Sequence, residues 1–214
     1  PHVDLTRPHR QRTLEILEQV KAFDLEARCA ARWLELEPDC TTARRFVART
    51  MIRAGDNERA LELFRQCRAE APDDLAVQED LGFALLRVGD PTAAVAVLQS
   101  MTVASPDHPR VHLMLLDAFD DLGDAPGKIA ELERWLQVKP DDAAGWRELA
   151  EARLATGAAA DIEPALDAAE QADYLGGGRD DAALDRRAVA LERLGRADEA
   201  SRVRRRIAAL SQNR

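Results

Sequence analysis

The sequence predicts an all-α solenoid of about six helix-turn-helix repeats, and three observations carry that prediction. Prolines stand at Pro38, Pro72, Pro106 and Pro140, each 34 residues after the last and each followed by an aspartate (Asp39, Asp73, Asp107, Asp141). Glycines stand at Gly55, Gly89, Gly123 and Gly157, again 34 apart and each 17 residues past a proline. Between these two sets, apolar residues recur at the three-to-four spacing of an amphipathic helix. A fixed period of this length marks supersecondary units that bury their apolar faces only by stacking on one another.

Within a unit, each element has a local cause. After Pro72, Leu75, Val77, Leu81, Leu85 and Leu86 trace a first helix that stops at Gly89, where a left-handed residue is wanted. Asp90, like Asp56 and Asp124, then suits the N-terminal end of a second helix. Ala93, Ala94, Val97, Leu98 and Met101 run along that helix until Pro106 stops it, because proline cannot continue the hydrogen-bond ladder. Two slots hold small residues that let the helices approach: Ala60, Ala94 and Ala200 in second helices, and Ala48, Gly82, Ala150 and Ala188 in first helices. Approximate units are 7–40, 41–74, 75–108, 109–142 and 143–180, five repeats within 1–180, followed by a sixth, capping repeat at 181–214.

Composition agrees. The chain of 214 residues is 46% hydrophobic but only 4% aromatic, so its apolar share is mostly Ala and Leu, which favour helix and argue against an all-β fold. A net charge of −9 argues against general nucleic-acid binding. No apolar run approaches the roughly 18 residues of a membrane helix. Arg outnumbers Lys, which fits GC-rich bacterial coding. The chain begins at Pro1, the expectation being a fragment or processed product, which leaves periplasmic and cytoplasmic locations both open. Cys29, Cys40 and Cys67 are read as small apolar side chains, with a Cys29–Cys40 disulfide as the alternative.

Trp146, Leu149 and Ala150, and Gln78, Leu81 and Gly82, follow one order of residue types. Ala60, Phe64, Cys67 and Pro72, and Ala94, Leu98, Met101 and Pro106, follow another. With the 34-residue period, these resemble the tetratricopeptide repeat family over nearly the whole chain. The resemblance implies a right-handed α-solenoid whose first helices line a concave, partner-binding groove. Departures gather at the ends. The first unit has Lys21 in place of the central glycine, the fourth has Lys128 in the alanine slot, and the fifth has Ile162 there and Tyr174 in place of proline. Gly195 follows Gly157 by 38, so four residues are inserted; Tyr174–Asp181, with Gly176, Gly177 and Gly178, is read as a longer loop, a hinge being the alternative.

Catalytic and cofactor patterns are not found: no HExxH, GxSxG or phosphate-binding loop occurs, and no enzyme activity, cofactor or metal is expected. The histidines are His2, His9, His108 and His112. The last two are four apart, but we read a solvated helix start there rather than a metal pair. The Asp73-Asp74 and Asp141-Asp142 pairs recur with the period and are read as helix caps, and Trp33, Trp135 and Trp146 as packing residues.

The helix period, placed on the groove the resemblance implies, selects the facing side chains. They are a basic stripe of Arg45, Arg49 and Arg53, an apolar centre of Phe83, Leu86 and Leu113 flanked by Glu79 and Arg87, an acidic group of Asp117, Asp120 and Asp121, and Arg147 with Glu151. Arg forks suit carboxylates or phosphates, and Asp clusters suit cations. The family's two-carboxylate clamp needs groove Asn and Lys; Asn57 and Asn213 are not placed for it. Residues 181–214 hold nine Arg against five acidic residues, a local +4, with Arg202, Arg204, Arg205 and Arg206 crowding the last helix. The expected function is a non-enzymatic scaffold binding a protein or peptide segment along the groove. Two alternatives stand beside it. One is a periplasmic scaffold region of a larger bacterial envelope protein, in exopolysaccharide export or outer-membrane assembly, recruiting a polysaccharide-modifying enzyme or guiding a cationic polymer. The other is a regulatory region fused to an enzyme or transcription factor.

Overall fold

The computed structural model describes residues 7–212; His2 and Asn213 lie outside the described residues. Twelve α-helices and no strands occur among those residues, in two compact units. The first, Pro1–Ala104, holds α1 (Arg7–Gln19), α2 (Phe23–Leu36), α3 (Thr41–Ala54), α4 (Asn57–Glu70), α5 (Leu75–Arg87) and α6 (Pro91–Ala104). The second, Ser105–Arg214, holds α7 (Pro109–Leu122), α8 (Ala125–Val138), α9 (Ala143–Thr156), α10 (Ala159–Leu175), α11 (Asp181–Arg193) and α12 (Ala197–Gln212). Within each unit every helix packs on its neighbours in sequence order, an all-α repeat architecture.

The punctuating residues act where the period puts them. Gly55, Gly123 and Gly157 cap α3, α7 and α9 with φ of 85°, 66° and 69°, the left-handed region that costs glycine least. Lys21 occupies the equivalent position before α2 and takes φ 58° without glycine's freedom. Asp74, Asp142 and Asp180 each accept two backbone N–H bonds at the starts of α5, α9 and α11, so the recurring acidic pairs are caps. Asp90 and Asp124 accept one each from Ala93 and Gly127. Asp56 makes no such bond and pairs with Arg59 instead.

The small slots are closed. Ala48, Ala60, Ala94, Ala150 and Ala188 are fully buried, and a Cβ placed on Gly82 would meet Leu98 Cδ2 at 2.5 Å. Leu14, Trp33, Ala43 and Phe46 centre the core of the first three helices. Leu132, Trp135, Leu149 and Ala169 centre one core of the second unit, and Leu166, Leu184, Leu191 and Val203 another. Cys29, Cys40 and Cys67 are all free thiols, so the disulfide alternative falls. Cys67 is buried and its Sγ lies 3.6 Å from the Thr41 carbonyl; desolvation pushes its pKa up to about 11.

The insertion is only partly loop. With Tyr174 in place of proline nothing stops α10, which extends to Leu175 and is 17 residues long against 14 for α8. The following turn is pinned rather than free. Gly178 N donates to Asp173 O at 2.8 Å, Arg206 donates to the Gly178 carbonyl, and Arg147 donates to Asp180 at 3.0 Å.

Candidate functional site

In the first unit, α3 buries Ala43, Phe46, Ala48 and Ile52, which leaves Arg45, Arg49 and Arg53 along one side. That side is not an open basic surface. Arg45 and Arg49 approach the buried Asp80 of α5 at 3.4 and 3.8 Å, and Arg49 also pairs with Glu18 of α1. Arg53 donates to Glu26 of α2 at 2.6 Å, reaches Glu18 at 3.5 Å and lies 4.9 Å over the Phe23 ring. The three side chains are only 13%, 22% and 27% exposed. Three carboxylates from neighbouring helices, Glu18, Glu26 and Asp80, thus pair with the stripe within the fold. Glu79, Phe83 and Leu86 are half-buried on α5, and Arg87 is exposed at its end.

In the second unit the acidic group is open. His108 caps α7 and Pro109 begins it, with Val111, Met114, Leu115 and Ala118 facing inward. The same register exposes Leu113, Asp117, Asp120 and Asp121. From α9, which buries Gly145, Leu149, Ala150 and Ala152, come the partly exposed Arg147 and Glu148 and the exposed Glu151. Phe119, Asp120, Lys128, Arg147, Glu148 and Glu151 line a cavity of about 500 Å³. Lys128, in the α8 slot that elsewhere holds alanine, sends its ammonium between α7 and α9. Its Nζ lies 2.7 Å from Asp120 and 2.9 Å from Glu148. Burial works against that charge, yet the bonds to Asp120 and Glu148 outweigh it and raise the Lys128 pKa. Arg147 is taken by Asp180, and Glu151 by Arg186. Asp117 and Asp121 have no ion pair among the described residues. Desolvation, then repulsion from Asp120, Asp121 and Glu148, raises the Asp117 pKa above its ordinary 3.8.

His112 is not at a solvated helix start. It is 4% exposed, stacks on Trp135 with ring centroids 4.4 Å apart, and its Nδ1 lies 2.9 Å from Glu131 Oε1. Glu131 also accepts two bonds from Arg134. Trp33 and Trp135 are buried, while Trp146 is half-buried with its Nε1 donating to the Pro140 carbonyl. No group of three or more His, Cys, Asp or Glu side chains converges as a metal site among the described residues. Nor is any described helix long and apolar enough to cross a membrane.

Sequence reasoning missed Glu18, Glu26, Asp80, Lys128 and Glu148 as members of these groups. One readable signal existed: Glu26 and Lys128 both replace the recurrent alanine, and a charged side chain in a buried slot requires a partner.

By sequence, no characterised protein matches the chain. Among solved structures it is similar to a crystal structure of MamA at 19% identity, covering 80% of this chain and 92% of that one with a TM-score of 0.67. It is similar as well to MamA from Desulfovibrio magneticus RS-1 at 16% identity, covering 80% and 95%, with a TM-score of 0.66. These likenesses establish the fold. The tetratricopeptide repeat family pattern matches residues 51–118, two full 34-residue periods. That match shows tetratricopeptide repeats within residues 51–118, and the recurring left-handed caps and closed small slots carry the same helical-repeat architecture beyond them.

Proposed function

We propose that the chain is a protein-interaction scaffold, and that the acidic face of α7 and α9 receives a lysine- or arginine-bearing segment of a protein partner. One observation carries this reading: the Lys128 ammonium already sits between Asp120 and Glu148, while Asp117 and Asp121 beside it form no ion pair among the described residues. An incoming cation relieves the mutual repulsion of these carboxylates, and the exposed Leu113 on the same helix offers an apolar contact next to them. The basic stripe on α3 supports the scaffold differently: with its charges paired within the fold, it ties helices together.

An array of short lysine- and arginine-rich peptides tests the reading. The wild-type chain should retain a subset, with affinity falling as salt screens the carboxylates. Asp117→Lys/Asp121→Lys should lose that subset while its melting curve is kept, since the exposed carboxylates it replaces hold no structural bond. Equal retention by the variant sinks the reading.

A further inference from the structure

A second stripe on α2 lies outside the core. Arg28 and Cys29 lie three and four residues after Leu25, and Arg32 and Leu36 continue at the same three-to-four spacing, which places the five along one side of the helix. Leu25 and Leu36 are 48% and 53% exposed, and the stripe borders a cavity of about 600 Å³ with Leu14 and Trp33 among its lining residues. One period later, the equivalent α4 positions are Arg59, Glu62, Leu63, Gln66 and Glu70, a surface made for water. The two exposed leucines of this stripe therefore have no counterpart in α4. The charges on it are loosely committed. Arg28 has no ion pair among the described residues, and Glu35 makes only an exposed pair with Arg32 at 2.8 Å, a contact worth little in water.

We propose that this face docks on the same face of a second copy of the chain, the two α2 helices running antiparallel about a twofold axis near Ala31. A twofold interface requires a self-complementary surface, and the stripe has that symmetry. Leu25 and Leu36 lie six residues before and five after Ala31, so each leucine of one copy sits beside the other leucine of the second. Arg28 and Glu35 lie three before and four after it, which brings the unpaired guanidinium of each copy within reach of the Glu35 of the other. A helix from an unrelated partner would need an apolar stripe and a carboxylate, but it would not need them mirrored on this chain.

Sedimentation equilibrium of the whole chain over a concentration series tests the proposal. The wild type should fit a monomer–dimer equilibrium. Leu25→Glu/Leu36→Glu should weaken it by about tenfold or more with the circular-dichroism melt retained. Arg28→Glu should weaken it too, and Arg28→Glu/Glu35→Arg should recover it. A wild type that stays monomeric at its highest soluble concentration overturns the proposal. Self-association that is indifferent to the leucine changes, or a charge swap that recovers nothing, overturns it as well.

Discussion

The carboxylate of Glu26 is fully buried and lies 2.6 Å from the guanidinium of Arg53, one hairpin further along the chain. Glu26 stands in the slot where Ala60 and Ala94 stand in the next two hairpins, and its Oε2 has no hydrogen-bond partner. A charge held this way is tolerated only while its counter-ion is present. Arg53 is differently placed: it is partly exposed and has Glu18 as a second partner.

The two halves of this pair should therefore differ in mutational cost. Arg53→Ala strands a buried carboxylate and should destabilise the chain by about 3 kcal/mol. Glu26→Ala restores the small residue of the slot, leaves Arg53 with Glu18 and water, and should cost less than about 1.5 kcal/mol. Urea unfolding of both variants at neutral pH checks the order. By the same logic, reversing Arg45, Arg49 and Arg53 to Glu sets like charges against Glu18, Glu26 and Asp80 and should unfold the first unit rather than report on binding.

Lys21 holds a left-handed conformation at the position that glycine fills in later repeats. Lys21→Gly should stabilise the chain by about 1 kcal/mol, the strain of a side chain in that region less the entropy glycine adds to the unfolded state. A thermal melt that moves downward contradicts this.

Gly82→Ala should cost about 1–3 kcal/mol. The added methyl meets the Leu98 side chain, which is itself fully buried and must shift to admit it. The alanine of the same slot in α9, Ala150, is tolerated, so Ala150→Gly should show only the smaller loss of helix propensity. Comparing the two denaturation midpoints separates close approach from propensity.

Glu131 predicts an acid limb. Burial raises its pKa, but hydrogen bonds from Arg134 and then His112 outweigh burial and hold the carboxyl below its ordinary 4.5. A depressed folded-state pKa adds stability above the unfolded value, and that stability is lost as pH falls through the folded value. Unfolding free energy should thus drop below about pH 4.5, and Glu131→Gln should flatten that drop while lowering stability at pH 7. An unchanged acid limb in the variant shows that other carboxylates set it.

The acidic face was legible because it needs only the helix register: once Val111, Met114, Leu115 and Ala118 face inward, Asp117, Asp120 and Asp121 must face out. The basic stripe was legible as a stripe but not as a paired one. Its partners Glu18, Glu26 and Asp80 lie 27 to 35 residues away, and no local rule links residues that far apart.

By itself the sequence determined the helices, their caps and their order, since proline, glycine and aspartate act on the backbone within a few residues of where they stand. The tertiary structure alone decided which charges were spent inside the fold. Arg49 and Arg53 found carboxylates across helix boundaries, His112 found Glu131, and Lys128 bridged two helices, while Asp117 and Asp121 were left to solvent. The reason is reach: a long side chain settles on whichever partner the packing of neighbouring hairpins brings within a few ångströms, and that distance is set by the stack, not by the period.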